Sequence, residues 1–190
     1  MRPVHHLVPR RHRHHRRGRR HQGQPGGAVM AGSDAQSPNP AALLAVHPFV
    51  VGMEEAQLRR MSECVTTLTH FDTDQVIFHA GGVARALYLI RGGDVALEVA
   101  APGMGTRIVA TLHGGDALGW SWLFPPYRWA FDARALAPTE AIVLDGEALR
   151  RCATEDRELG FHVVWRVARE MADRLQATRL QMLDVYTERR

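Results

Sequence analysis

The chain has 190 residues, 45% of them hydrophobic, with 24 Lys+Arg, 20 Asp+Glu and 11 His. That length and apolar content fit one cored domain with tails and exclude wholesale disorder. The net charge of +4 invites a nucleic-acid reading, but residues 1–29 hold eight Arg, six His and no acid (+8), while residues 30–190 hold 16 basic and 20 acidic side chains (−4). The basic character therefore belongs to the N-terminal segment, and the rest of the chain is acidic. Every basic side chain is Arg, which reads as a coding bias toward GC-rich codons. Cys64 and Cys152 lie far apart, form no CxxC pair and give no disulfide framework. A reduced, cytoplasmic protein is expected. No apolar run approaches the roughly 18 residues of a membrane span, and the N-terminus lacks the apolar stretch of a secretory signal.

Residues 1–40 have no apolar periodicity, and their Gly, Pro and like charges resist compaction, so a disordered Arg/His-rich tail is predicted. Three readings of it are open. Its Arg cluster could attract phosphate non-specifically. Its histidines could take metal, although His5-His6 and His14-His15 are adjacent rather than spaced like a folded site. The third, which we prefer, is an upstream start, with Met30 and its small, polar AGSDAQSPNP leader as the initiator.

From residue 41 the pattern becomes that of a folded domain, predicted over 41–158. Apolar Leu58, Met61 and Val65, behind the acids Glu54 and Glu55, predict a short helix over about 53–64. Short β-type runs then alternate with Gly and Asp turns: 66–71, 76–79, 86–91, 95–100, 107–113, 130–137 and 140–144. Strands of this length and spacing predict a sandwich or barrel, with 95–100 and 107–113 paired as a hairpin. From about 159 to the end the pattern is one long helix. Val164, Ala168, Met171, Leu175, Thr178, Met182 and Val185 step by four and three, an a/d seam over three heptads. The seam could pack on the chain's own β core or on a second copy; the parallel homodimer is preferred, because the stripe outruns a small barrel. A protein partner of another kind could use the same helix.

In their order and spacing these segments resemble the cyclic-nucleotide-binding domain, the sensor half of the cyclic-AMP receptor protein (Crp/Fnr) family. HPFVVGMEEAQLRRM resembles the opening helix. FDTDQVIFHAGGVARALYLIRGGDVALEV resembles the strands and glycine turns, and GGDALGWSWLF the approach to the phosphate-binding cassette. ARALAPTEAIVLDGEALRRC is similar to the strands leaving the cassette, and the 161–185 helix to the dimerising helix. The resemblance implies a mainly β fold, a cyclic-nucleotide-binding-like β-roll (double-stranded β-helix or jelly roll), with flanking helices and a long C-terminal dimerisation helix.

It also implies a place for the ligand. The family holds a cyclic phosphate on backbone N–H groups at a short helix start and on one Arg, and a Glu after the cassette glycine takes the ribose hydroxyl. Gly119 matches that glycine, but Trp120 follows it, and an indole is a donor only. Counting forward puts the Arg position at Arg128; counting back from Arg134-Ala135 puts it at Trp129. The cassette candidates are thus Gly119, Trp120, Ser121, Trp122, Arg128, Trp129 and Ala130. Arg128 has an alternative role as an ion-pair residue with Asp132. Trp120, Trp122, Phe124, Tyr127, Trp129 and Phe131 place six aromatics within twelve residues. They could fill the pocket as core, remodel it for a flatter planar ligand, or leave weak binding of cAMP or cGMP. Asp116 reads as a turn residue, and His70, His79 and His113 as ordinary surface or core histidines.

The chain ends at Arg190, soon after the long helix, so the family's helix-turn-helix and sequence-specific DNA binding are not expected of it. No G-x-S-x-G, P-loop or H-E-x-x-H appears, and an enzyme is not expected. Two functions follow: a small-molecule sensor with a degenerate cassette that signals through a dimeric helix, or a ligand-independent interaction module whose pocket holds its own aromatics.

Overall fold

The computed structural model describes residues 39–101, 103 and 105–187, with the last helix's side chains described as far as Arg179. The 1–38 tail and the side chain of Met182 lie outside the described residues. Helix α1 (Pro40–Ala45) is capped by the Asn39 side chain, which accepts from Ala41 N at 3.0 Å. A 3-10 turn (Pro48–Val50) follows, and then α2 (Glu55–Ser62). At the start of α2 the Gln57 side chain accepts from Glu54 N at 3.0 Å, which satisfies one amide that the helix itself leaves unpaired.

Eight strands follow: β1 (Val65–Phe71), β2 (Val76–Phe78), β3 (Ala86–Gly92), β4 (Asp94–Ala101), β5 (Gly105–His113), β6 (Ala117–Leu118), β7 (Asp132–Ala135) and β8 (Thr139–Asp145). They form two antiparallel four-stranded sheets, ordered β1-β8-β3-β6 and β2-β7-β4-β5. The predicted hairpin is β4–β5, running in register from Asp94↔His113 to Ala101↔Gly105 with one irregularity at Leu97/Glu98. The alternation of the strands turns Ile90, Val95, Leu97, Leu112, Leu118 and Ala133 inward as one apolar cluster. Each fully buried side chain of that kind is worth about 1.5–3 kcal/mol.

Three elements escaped the sequence reading. The six residues of α1 give no clear period. β6 has only two residues, too few for a periodicity. Helix α3 (Gly146–Glu155) follows β8 directly, its first turn capped by Asp145, which accepts from Ala148 N at 2.7 Å. Gly146 is needed there: a Cβ would sit 2.7 Å from that of Trp122 and 3.0 Å from Arg85 O. The long helix α4 (Arg157–Thr187) begins after Asp156, which breaks the helical path with ψ 101°. Its core-facing residues are Leu159, Val163 and Val167, all buried with Trp122 and Leu149 in the larger apolar cluster. The heptad stripe Val164, Ala168, Met171 and Leu175 lies on a different face and is exposed. Met171, Leu175 and Thr178 border a groove shared with Leu97, Val109 and Phe131, so the stripe is only partly covered by the chain itself. No helix among the described residues is long and apolar enough to cross a membrane.

Candidate functional site

The site lies where β6 ends. Gly119 adopts φ 86°, a left-handed conformation that glycine reaches without strain, and a single 3-10 turn, Trp120–Trp122, follows. The chain then passes through a cis Pro125-Pro126 bond and Tyr127, and returns along the loop before β3. Trp129 N donates to Gly82 O at 2.9 Å and Gly81 N to Trp129 O at 2.8 Å, so Trp129 is held by backbone on both sides.

This register decides where the neighbouring side chains point. Trp129 is buried and stacks on Phe78, with centroids 4.0 Å apart and planes 13° from parallel. Its ring also presses against Gly119, where a Cβ would meet it at 2.8 Å. Arg128 faces the other way. It is exposed, its backbone bridges Val83, and its guanidinium donates to Gly81 O at 2.7 Å. It makes no ion pair with Asp132, whose carboxylate accepts instead from Ala80 N at 2.9 Å and meets His79 Nδ1 at 3.0 Å. Those contacts, the Ala80 amide first, hold the Asp132 carboxyl below its ordinary range.

The cavity bounded by Phe78, Leu97, Gly119, Trp120, Ser121, Trp129, Ala130, Phe131 and Arg174 has a volume of only about 20 Å³. That is room for about one water, against about 300 Å³ or more for a typical small-molecule pocket. Trp122 is absent from this wall. It is fully buried in the core, its carbonyl accepts from Arg150, and its Nε1 has no hydrogen-bond partner among the described residues. Of the seven cassette candidates, the fold brings Gly119, Trp120, Ser121, Trp129 and Ala130 together, and turns Trp122 inward and Arg128 outward.

One site residue was missed from the sequence. Arg174, on α4, lies over the Trp120 ring at 4.3 Å from the centroid, donates to Ala117 O and pairs with Glu170 at 3.6 Å. Burial pushes its guanidinium below the ordinary value, with the charges of Glu170 and Asp116 opposing, and burial pushes Glu170 up. Its place in the helix, one residue before Leu175 of the heptad stripe, is the only sequence signal it carries. Asp116 keeps to its turn, accepting from His113 N at 2.7 Å. No group of His, Cys, Asp and Glu among the described residues has the arrangement of a metal site.

Residues 68–156 match the family model for the cyclic nucleotide-binding domain. That match spans the strands β1 to β8 and helix α3. Among solved structures it is similar to a protein of Geobacter metallireducens GS-15 named for cyclic nucleotide binding, with 27% identity and a TM-score of 0.64 over 71% of this chain and 97% of that one. It is also similar to the catabolite activator protein of Thermus thermophilus, with 25% identity and a TM-score of 0.58 over 74% of this chain and 63% of that one. A third neighbour is the regulatory subunit of a cAMP-independent protein kinase A from Trypanosoma brucei, with 18% identity and a TM-score of 0.56 over 67% of this chain and 44% of that one. No curated protein matches the sequence. The structural neighbours include Crp/Fnr-type regulators such as the catabolite activator protein, and the two antiparallel sheets of this chain form the same β-roll.

Proposed function

We propose that this domain is a ligand-independent regulatory module, a dimeric interaction unit built on the cyclic-nucleotide-binding fold with the cassette filled by its own aromatics. One observation carries the reading: Trp129 stands between Gly119 and Phe78 and leaves about 20 Å³ open at the Gly119 turn, the larger space lying outside it along α4. The chemistry agrees. A cyclic phosphate needs a cation and a ribose acceptor, and here an indole stands beside Gly119 and another follows it in the chain, while Arg128 is spent on Gly81 O and Arg174, in the cavity wall, on Glu170 and Ala117 O. The Trypanosoma brucei neighbour, whose name marks it as cAMP-independent, gives the same fold a role without cAMP.

The partner is a second copy, through α4. Val164, Met171 and Leu175 are 47%, 39% and 53% exposed, at heptad spacing. Beside them, a groove of about 550 Å³ runs between α4 and the β4–β5 hairpin, lined by Leu97, Val109, Phe131, Met171 and Leu175 among others. Ala168 and Thr178 keep the stripe shallow enough for close approach of a second helix.

A second reading, a sensor whose planar ligand displaces Trp129, is favoured by one feature: the Gly119 turn that aims backbone amides at a cyclic phosphate is retained. Calorimetric titration of the full chain with cAMP and cGMP separates the two. The expected result is no heat of binding and no thermal shift at millimolar nucleotide; saturable binding with quenching of tryptophan fluorescence would establish the sensor instead.

A further inference from the structure

Cys64 and Cys152 are 88 positions apart in the chain, yet the fold sets their sulfurs 3.6 Å apart. Cys64 follows α2 and is buried, its thiol also donating to Arg60 O at 3.8 Å. Cys152 lies on α3 and is half-buried, so one member of the pair meets solvent. Both are free thiols, and they are the chain's two cysteines. The surroundings make the pair more than a chance approach. Arg60, one helical turn before Cys64, pairs with Glu155 at 3.0 Å and Asp156 at 3.3 Å. Asp156 in turn caps α4, accepting from Leu159 N at 3.0 Å. The two sulfurs thus sit beside a polar clamp that already ties the end of α2 to the α3–α4 junction.

We propose that Cys64 and Cys152 form a reversible intramolecular disulfide, made by a hydroperoxide and undone by a small thiol, that locks α3 to the end of α2. The Cys152 thiolate attacks a peroxide oxygen; the O–O bond breaks, the departing hydroxide leaves as water, and Cys152 becomes a sulfenic acid. The Cys64 sulfur then attacks the Cys152 sulfur. The S–S bond forms, the S–O bond breaks, and the leaving hydroxide takes the Cys64 proton as a second water. Two thiols lose two electrons and the hydroperoxide gains them. Burial, then the contact with Cys152, pushes the Cys64 thiol up to about 12. Cys64 is therefore a poor first nucleophile and serves as the resolving thiol, made effective by its proximity. The covalent link would stiffen the junction from which α4 carries its exposed stripe, so an oxidant would act on the helix without entering the cassette.

The test uses the full chain, reduced and then treated with hydrogen peroxide. The expected result is an intact mass lower by two hydrogens, a proteolytic peptide pair joined through Cys64 and Cys152, and a melting temperature raised by roughly 5–15 °C, all reversed by dithiothreitol. Oxygen added at Cys152 without loss of two hydrogens, a link between two chains, or an unchanged melting temperature overturns the proposal. Cys152→Ser, at a half-buried position, abolishes both the mass loss and the shift. The same shift in that variant also overturns it. Because Cys64 is buried and Cys64→Ser can fail to fold, the decision rests on Cys152→Ser.

Discussion

Two aromatic-rich surfaces of this domain have opposite fates. Around the cassette, Trp122 and Trp129 are 0% and 7% exposed, Trp129 stacks on Phe78, and Arg174 and Arg150 lie over Trp120 and Tyr127, while Phe124 is 47% exposed. Along α4, Phe161 and Trp165 are 66% and 46% exposed, and Val164, Met171 and Leu175 of the stripe stay 47%, 39% and 53% exposed. The same residue types are finished core in one place and unfinished surface in the other. Apolar area is stabilising only once removed from water, so the first region contributes to the fold, and the second is the surface on which the proposed second copy would dock.

That contrast can be broken most severely from the core side. Trp122→Ala removes a fully buried indole against which Gly146 is packed. It is expected to cost about 3–5 kcal/mol in denaturant unfolding; a loss below about 1 kcal/mol would mean the cassette aromatics are not core. On the other surface, Met171→Glu is expected to leave the far-ultraviolet circular dichroism unchanged and convert a dimer to a monomer of 21.2 kDa by light scattering. A wild-type chain that is already monomeric at micromolar concentration refutes the seam.

A smaller effect sharpens the role of the N-terminal packing. His47 is buried; its Nε2 lies 3.0 Å from Ile90 O and its Nδ1 accepts from Phe49 N at 3.1 Å. Burial lowers its pKa below 6.5, against the opposing pull of the Ile90 carbonyl and Asp116. The unfolded chain therefore takes up this proton at higher pH than the fold does. The contribution is fully present above pH 6.5 and is lost as pH falls below it. The denaturant midpoint should fall on going from about pH 7.5 to about pH 5.5, and His47→Asn, which retains an acceptor for Phe49 N, should flatten that slope. The smallest change is expected from Arg174→Gln, about 1 kcal/mol through the lost contact with Trp120, seen as a shifted tryptophan emission.

Much of the fold was legible because its signals are local. The turn glycines and the alternation of residues 95–113 marked β4 and β5 to within two residues, and the helical spacing of residues 159–185 marked α4. What escaped were elements too short to have a period, α1 and β6, and a helix lodged directly against a strand end, α3. The cassette was legible as a place but not as a geometry. One alignment register gave Arg128 and the other Trp129, and only the backbone bonds to Gly81 and Gly82 set which side chain enters the pocket.

The sequence by itself determined that the N-terminal segment is basic and the remainder acidic, that a run of short strands is followed by a long helix, and that the helix bears an apolar stripe. These properties depend on composition and on periods of two and 3.6 residues, which neighbours in the chain supply. Tertiary structure alone decided that Trp129 stacks on Phe78 in the cassette, that Arg174 reaches it from α4, and that Cys64 meets Cys152. Each of those is a contact between residues dozens of positions apart, set by how the sheets and helices pack rather than by any pattern along the chain.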